Sequence, residues 1–404
     1  LTIVRHNEVT AMPLLKKMSA AMPAKTLCLT ILASLALAGC GGGGGSDGPS
    51  VIDTSGDVAV IATAASDYSS GAVELIDVQE GTSSGSYHPT ISDIAVSARG
   101  QHYYLYERYQ SDTVKKVDLS NPGVFEWDYS AVDGNDSNSS NPYTLVFAAD
   151  DKAYLIRYGS ETAWIVDPTA DSEQDFKIGE LDLSAYTPAD TTGVPNMAAG
   201  AVVDGKLFIA MQRLDSNYGP TNTGYVAVFD TETDEEIDTG MGQNGLKGIP
   251  LIGHNPMALI HHPDLGLLVQ NQGAYTPDYT GGIDVIDPDT YAIEQRLDDT
   301  ADTGLVGSVV VVDQDTGFYL AYNGWQDITL KAFNPGTGDV GDTIGGLSGM
   351  DLRTMALGPQ GNLWIGDASS GDPGLRVLDV DSGDELDFIA TSLLPIDIAF
   401  AKED

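Results

Sequence analysis

One five-residue phrase recurs seven times along the chain. It is a mostly aliphatic run closed by a turn-forming residue: VELID (73–77), VKKVD (114–118), AWIVD (163–167), VAVFD (226–230), IDVID (283–287), LKAFN (330–334) and LRVLD (375–379). The closing residues, from Asp77 to Asp379, stand 41 to 63 residues apart. A period of this size marks a repeat architecture, in which each unit buries its apolar surface only against its neighbours. Asp and Asn suit the closing place because their side chains accept hydrogen bonds from backbone amides inside a turn. Proline follows directly in Asp167-Pro168, Asp287-Pro288 and Asn334-Pro335.

Two further apolar runs precede each phrase. The nearer set reads VAVIAT (58–63), HYYLYE (102–107), AYLIR (153–157), LFIAMQ (207–212), GLLVQN (266–271), FYLAYN (318–323) and LWIGD (363–367). The further set runs from DIAVS (93–97) to IDIAFA (396–401) and is joined to the nearer one by short turns rich in Gly, Asp and Asn. Such turns are hairpin signals. A more polar fourth run follows the phrase, as in VFEWDY (124–129) and AIEQRL (292–297). Four short strands per repeat, seven times over, predict an all-β, seven-bladed β-propeller. The first copy lacks its innermost strand and the last copy has one to spare. The C-terminal strand is therefore expected to complete the first blade and close the ring, which removes exposed strand edges. A doubly wound α/β fold would need amphipathic helices between the strands, and none is present.

The stretch 141–168 carries the pattern NPxxLxxxxDxKxYLxxYGSxTxWIVDP. It resembles the YncE-like, or surface-layer-type, seven-bladed propeller family, and the resemblance extends over roughly residues 56–404. It implies an architecture shared by binding proteins, structural surface proteins and a few related enzymes. Two loops, 213–224 and 272–282, are longer than the tidiest members would have.

The region before the repeats reads differently. Residues 26–38, TLCLTILASLALA, form an apolar run too short to span a bilayer but suited to a signal peptide. It ends in Leu37-Ala38-Gly39-Cys40, which resembles a bacterial lipobox. The expected organisation is a lipoprotein signal over 1–40, a Gly-rich tether over 41–56 and the propeller over 57–404, with Cys40 lipidated. Met18 or Met22 would be the initiator. Gly41, rather than Asp, follows the cysteine and points to the outer membrane, on a face the sequence leaves open. The only other cysteine, Cys28, falls inside the signal, so no intramolecular disulfide is expected.

Charge narrows the partners. The whole chain carries −40, and residues 41–404 hold 15 basic and 58 acidic residues. A nucleic-acid partner is excluded, because phosphate binding needs clustered positive charge. A monomer is expected. Seven arginines lie beyond residue 40, and four of them, Arg108, Arg157, Arg213 and Arg353, fall where strand ends should meet one face of the ring. A guanidinium offers a planar fork suited to carboxylate or phosphate. With Tyr158, Asn271, Asn323 and Trp325 they form the candidate ligand site, unless each instead pairs with a neighbouring carboxylate. Tyr109, Tyr218, Tyr275 and Tyr322 lie nearby for stacking on sugars or peptides.

Catalytic signals are sparse. No GxSxG, HExxH, Walker or dinucleotide motif occurs. A metal-dependent lactonase- or quinoprotein-like enzyme would draw its ligands from Glu107, Asn271, Asn323 and Asp367. His254 stands near a channel mouth, whereas His261 and His262 point to opposite faces of a strand. No cofactor is expected. Calcium is the ion that the oxygen-rich loops 133–138 and 379–384 would accept, though neither completes an EF-hand. The reading that follows is a lipid-anchored binding module for a small polar or anionic ligand or a protein partner. The alternatives are the metal-dependent enzyme and a structural surface scaffold.

Overall fold

The computed structural model describes residues 49–401, apart from Asn135, Ser137, Asn138, Thr191, residues 275–277 and Ser370. The signal region, Cys40 and most of the tether therefore lie outside the described residues, as does Tyr275. The compact unit spans Asp47–Asp404. Its strands form seven four-stranded antiparallel sheets. Six of these blades are continuous in sequence. The seventh, blade 1, joins the C-terminal strand Leu394–Ala401 to Val58–Ala64, Gly71–Asp77 and Thr82–Thr90. Val58 pairs with Ala401 and Ala64 with Leu394, so the two ends of the domain close the ring as the spare-strand argument predicts.

The innermost strands of blades 2 to 7 are Ile94–Arg99, Pro142–Ala149, Met197–Val203, Pro256–His262, Leu305–Val311 and Leu352–Leu357. Each contacts its neighbours on both sides, and the C-terminal strand completes the circuit. Period-2 alternation sends the two sets of side chains on each blade into different interfaces. In the second strand of blade 3, Ala153 and Leu155 pack toward blade 2 against Tyr104 and Tyr106. Tyr154 and Ile156 point the other way, against Leu207 and Ile209 of blade 4. The apolar core is accordingly split into seven clusters, one between each adjacent pair of blades. That is why the second strands are continuously apolar: both faces are covered.

The recurrent closing residues are turn caps. The Oδ1 atom of Asp287 accepts from the backbone N–H groups of Asp289 (2.9 Å) and Thr290 (2.8 Å). Asp77, Asp230 and Asp379 do the same in their own turns. These amide bonds hold the Asp230, Asp287 and Asp379 carboxyls below their ordinary pKa. The previous blade then fastens onto the turn. Lys152 Nζ reaches Thr231 O (2.7 Å), Lys206 Nζ reaches Pro288 O (2.9 Å) and Arg296 Nη1 reaches Pro335 O (2.6 Å).

Three features were not legible as strands. The outer strand of blade 4 is only Ile249–Pro250, after a long excursion from Asp230. Blade 3 carries a helical turn, Glu173–Phe176, whose Phe176 ring packs 5.2 Å from Trp127. A 3-10 turn, Ser184–Tyr186, places Tyr186 under the blade 4 excursion, where its hydroxyl accepts from Gly248 N–H (2.7 Å) and donates to Glu236 Oε1 (2.5 Å).

Candidate functional site

Register decides which residues share a face. Ile94 pairs with Glu107, Pro142 with Arg157, Pro256 with Asn271, Leu305 with Tyr322 and Leu352 with Asp367. Every innermost strand therefore starts where a second strand ends. The loops leading into third strands lie on this same face, and so do those arriving from outer strands. The acid-capped turns lie on the opposite face.

Several residues expected at this face are turned into the blades. Arg157 is completely buried. It pairs with Asp136, donates to Ala131 O (3.1 Å), Ser160 Oγ (2.9 Å) and Thr162 Oγ1 (3.0 Å), and lies 4.3 Å over the Trp164 ring. Asn271, also fully buried, donates to Asp284 Oδ2 (3.0 Å). That carboxylate also accepts from the Ile252 and Gly253 amides, and burial raises its pKa. Glu107 accepts from Thr90, Thr113 (2.9 Å) and Lys115 (3.1 Å). Asp367 accepts from Arg376 Nε (2.8 Å) and from the Ser369 amide (2.9 Å). Each group is a polar clip that ties a buried strand end to its own blade or to an adjoining chain segment, although the Oδ1 atoms of Asn271 and Asp284 have no hydrogen-bond partner among the described residues. Asn323 is exposed, with a long 3.4 Å contact from its Nδ2 to Thr329 Oγ1. The four residues expected as channel metal ligands are thus spread over four blades. Among the described residues, no three His, Cys, Asp or Glu side chains gather as a metal-holding group.

In the calcium-type loops the carboxylates of Asp133, Asp136 and Asp379 have protein partners, and Asn135, Ser137 and Asn138 of the first loop lie outside the described residues. Asp136 and Asp133 pair with Arg157 and Lys177. Asp379 caps its own turn, accepting from the amide and hydroxyl of Ser382. His254 Nδ1 lies 2.7 Å from Pro220 O, tying down the long loop of blade 4.

Around the channel mouth the face divides in two. Over blades 2 to 5 side chains contact one another in a continuous strap. Asp93 pairs with Arg108 (2.6 Å), whose guanidinium lies 4.8 Å over the Tyr143 ring. Tyr143 stacks on Tyr158 (4.8 Å), the Tyr158 hydroxyl donates to Gln212 Oε1 (2.9 Å), and Gln212 Nε2 contacts Met257 Sδ (2.8 Å). Arg213 lies beside this strap at φ 54°. It donates to Tyr186 O (2.8 Å) and Thr223 O (2.8 Å) over the Tyr225 ring, and burial lowers its pKa.

Over blades 5, 6, 7 and 1 the mouth opens into a cleft of about 570 Å³. Trp325 projects from its rim, 73% exposed, and Tyr68 and Tyr322 also line it. Arg353 is held in bidentate fashion by Asp351, Nε to Oδ1 at 3.1 Å and Nη2 to Oδ2 at 2.9 Å, with Tyr68 5.7 Å from its guanidinium carbon. Gln272 and Gln326 bring side-chain amides, and Ser308 a hydroxyl. On the floor, Asp397 accepts from the Val96 and Ile398 amides (3.0 Å each), and burial pushes its pKa up.

Of the eight residues expected to bind ligand, the cleft brings together Trp325 and Arg353. Arg108 and Tyr158 belong to the strap, Arg213 lies beside it, Arg157 and Asn271 to the clips, and Asn323 to the rim loop that carries Trp325. Tyr68 and Gln326 were missed. Both sit at the turn after a second strand, with φ of 57° and 56°, a conformation that sequence does not announce in a non-glycine residue.

No family model matches the chain, and no curated protein matches it. Solved structures do. A 6-phosphogluconolactonase-like protein of Bacteroides uniformis superposes with a TM-score of 0.59 at 12% identity, covering 86% of this chain and 99% of that one. A similar protein of Bacteroides fragilis gives 0.57 at 11% identity, with 86% and 98% covered. Apo AztD from Citrobacter koseri gives 0.50 at 14% identity, with 85% and 98% covered. These neighbours are seven-bladed propeller proteins, and at such identities the likeness is one of fold.

Proposed function

We propose that this chain is a cell-envelope binding protein that takes a small, polar, uncharged ligand in the open half of its channel mouth. The observation that carries the reading is the cleft itself. An exposed Trp325 and two tyrosines share it with side-chain amides, a hydroxyl and a neutralised Arg353–Asp351 pair. Concave sites with aromatic walls and a few convergent polar groups are the usual form of small-ligand sites. An anionic ligand has less to attract it than the arginine count suggests. Arg108, Arg157 and Arg353 already have carboxylate partners, and the surrounding chain is strongly acidic. A metal-dependent hydrolase or oxidoreductase finds less support, because Glu107, Asn271 and Asp367 are engaged inside their blades.

The lipobox-like Leu37-Ala38-Gly39-Cys40, the Gly-rich tether and the YncE-like pattern support an exported, lipid-anchored module. Mass spectrometry of the mature N-terminus checks the anchor, with diacylated Cys40 as the expected species. The binding reading is tested by titrating neutral polar ligands while following Trp325 fluorescence. Saturable quenching in the native chain, with binding lost by calorimetry in Trp325→Ala, supports it. Equal binding by the variant sinks it.

A further inference from the structure

Four aromatic side chains are exposed among the described residues: Tyr68 (49%), Tyr109 (49%), Tyr218 (63%) and Trp325 (73%). All four occupy the same structural position, the loop from second to third strand, in blades 1, 2, 4 and 6. All four therefore stand on the face that carries the cleft. The acid-capped face shows no exposed aromatic among its described residues.

Backbone conformation repeats with them. Tyr68 (φ 57°) and Tyr218 (φ 62°) are themselves left-handed, and Tyr109 and Trp325 each precede a left-handed glutamine, Gln110 (φ 70°) and Gln326 (φ 56°). Among the described residues, glycine fills eighteen other positive-φ positions and non-glycine residues eleven more. A bulky residue in this region is strained, as it is at Tyr291 in an acid-capped turn, so the conformation fixes the loop without by itself marking a site. The loops are also rigid. Asp67 Oδ1 accepts from Ser69 N–H (3.0 Å) beside Tyr68. Asp215 Oδ1 accepts from Asn217 N–H (2.8 Å) and Gly219 N–H (2.9 Å) around Tyr218.

We infer that these rings form a crown that binds a neutral polysaccharide chain lying across the face, with one segment seated in the cleft. The inference deepens the proposed function and rests on it. Trp325 and Tyr68 line the cleft, which spans blades 5, 6, 7 and 1. Tyr109 extends the track onto blade 2, next to Tyr68, and Tyr218 extends it onto blade 4, on the other flank. Charge selects a neutral chain, since Arg108 and Arg353 at this face are paired and the protein is acidic throughout. The dispersal of the rings over separate blades favours a glycan over a protein. Protein partners are held by contiguous, desolvated hot-spot cores. Here single rings are set one per blade among amides, hydroxyls and carboxylates. Such separated platforms suit the apolar faces of well-spaced pyranose rings along one chain, with hydrogen bonds made between them.

The test is a neutral glycan array probed with the protein. Titration with glucose, cellobiose and longer cello-oligosaccharides, or the equivalent series of whichever glycan binds, then reads the dependence on chain length. Affinity is expected to climb with length. Tyr109→Ala and Tyr218→Ala should each weaken the longest oligomers by about three- to tenfold while leaving the shortest unchanged. Tyr109→Phe, which keeps the ring, should retain the increment. Length-independent binding that still requires Trp325 overturns the crown and leaves the cleft standing. Indifference to Trp325→Ala overturns both. An array without neutral glycan binding, or capture of a protein ligand through the same rings, overturns the polysaccharide assignment.

Discussion

Blades 2 to 5 and blades 5 to 1 bring equivalent strand ends to the same channel mouth and use them in opposite ways. In the first group Arg108, Tyr143, Tyr158 and Gln212 contact one another in series and form a strap. In the second, Tyr322, Trp325 and Arg353 surround empty space instead of one another. The strap side is flanked by the long 212–224 loop, tied to Tyr186 and His254, whereas blades 6 and 7 turn through short loops after Gly324 and Asp367. The contrast teaches that a polar or aromatic residue at a propeller strand end stays available at the face only when its neighbour across the blade interface does not engage it.

The comparison can be broken most severely at Arg157. Arg157→Ala leaves Asp136 buried without its cation and should cost about 3–5 kcal/mol of stability. Chemical denaturation checks this, and a loss under about 1 kcal/mol would mean that the clip is dispensable. Trp325→Ala should do the reverse. Ligand affinity should fall by about thirtyfold, on the scale of an interface hot spot. Unfolding free energy should stay within about 0.5 kcal/mol, as for an exposed surface position.

Blade 5, where strap and cleft meet, sharpens the contrast through pH. Burial raises the Asp299 carboxyl to about 6, and its Oδ1 accepts from the Gly281 amide (3.0 Å). A raised carboxyl pKa means that the folded state binds this proton more tightly than the unfolded chain does. Its contribution is therefore most favourable below the ordinary carboxylate range, near about pH 4, and is lost as pH rises through about 6. Asp299→Asn keeps an amide acceptor and should flatten that segment of the stability–pH curve. An unchanged slope in denaturation midpoints would reject the assignment. The smallest effect belongs to the strap. Tyr158→Phe removes the hydroxyl bond to Gln212 and should cost about 1 kcal/mol without changing ligand affinity. A change in affinity would show that the two halves are coupled.

The repeat, the blade count and the closure were legible because they rest on local chemistry. An apolar run ending in Asp287 or Asn334 is a strand followed by a capped turn wherever it occurs. A strand count one short at the beginning and one over at the end has one economical closure. The face was legible too, since strand ends in register must share it. Which side chains project from that face was not. Arg157 and Arg353 look alike in sequence, each at a strand end in an acidic chain. Arg157 turns into a buried network because Asp136, Ser160 and Thr162 converge on it from two loops. Arg353 stays at the cleft wall because Asp351, two residues away, holds it there. Periodicity and turn chemistry, which act over a few residues, were enough to determine seven blades and a closed ring. The strap depends on contacts between residues tens of positions apart, such as Tyr158–Gln212 and Gln212–Met257. The clips and the cleft wall add short-range pairs such as Arg353–Asp351, and which partner engages a given strand end is decided only when blade packs against blade.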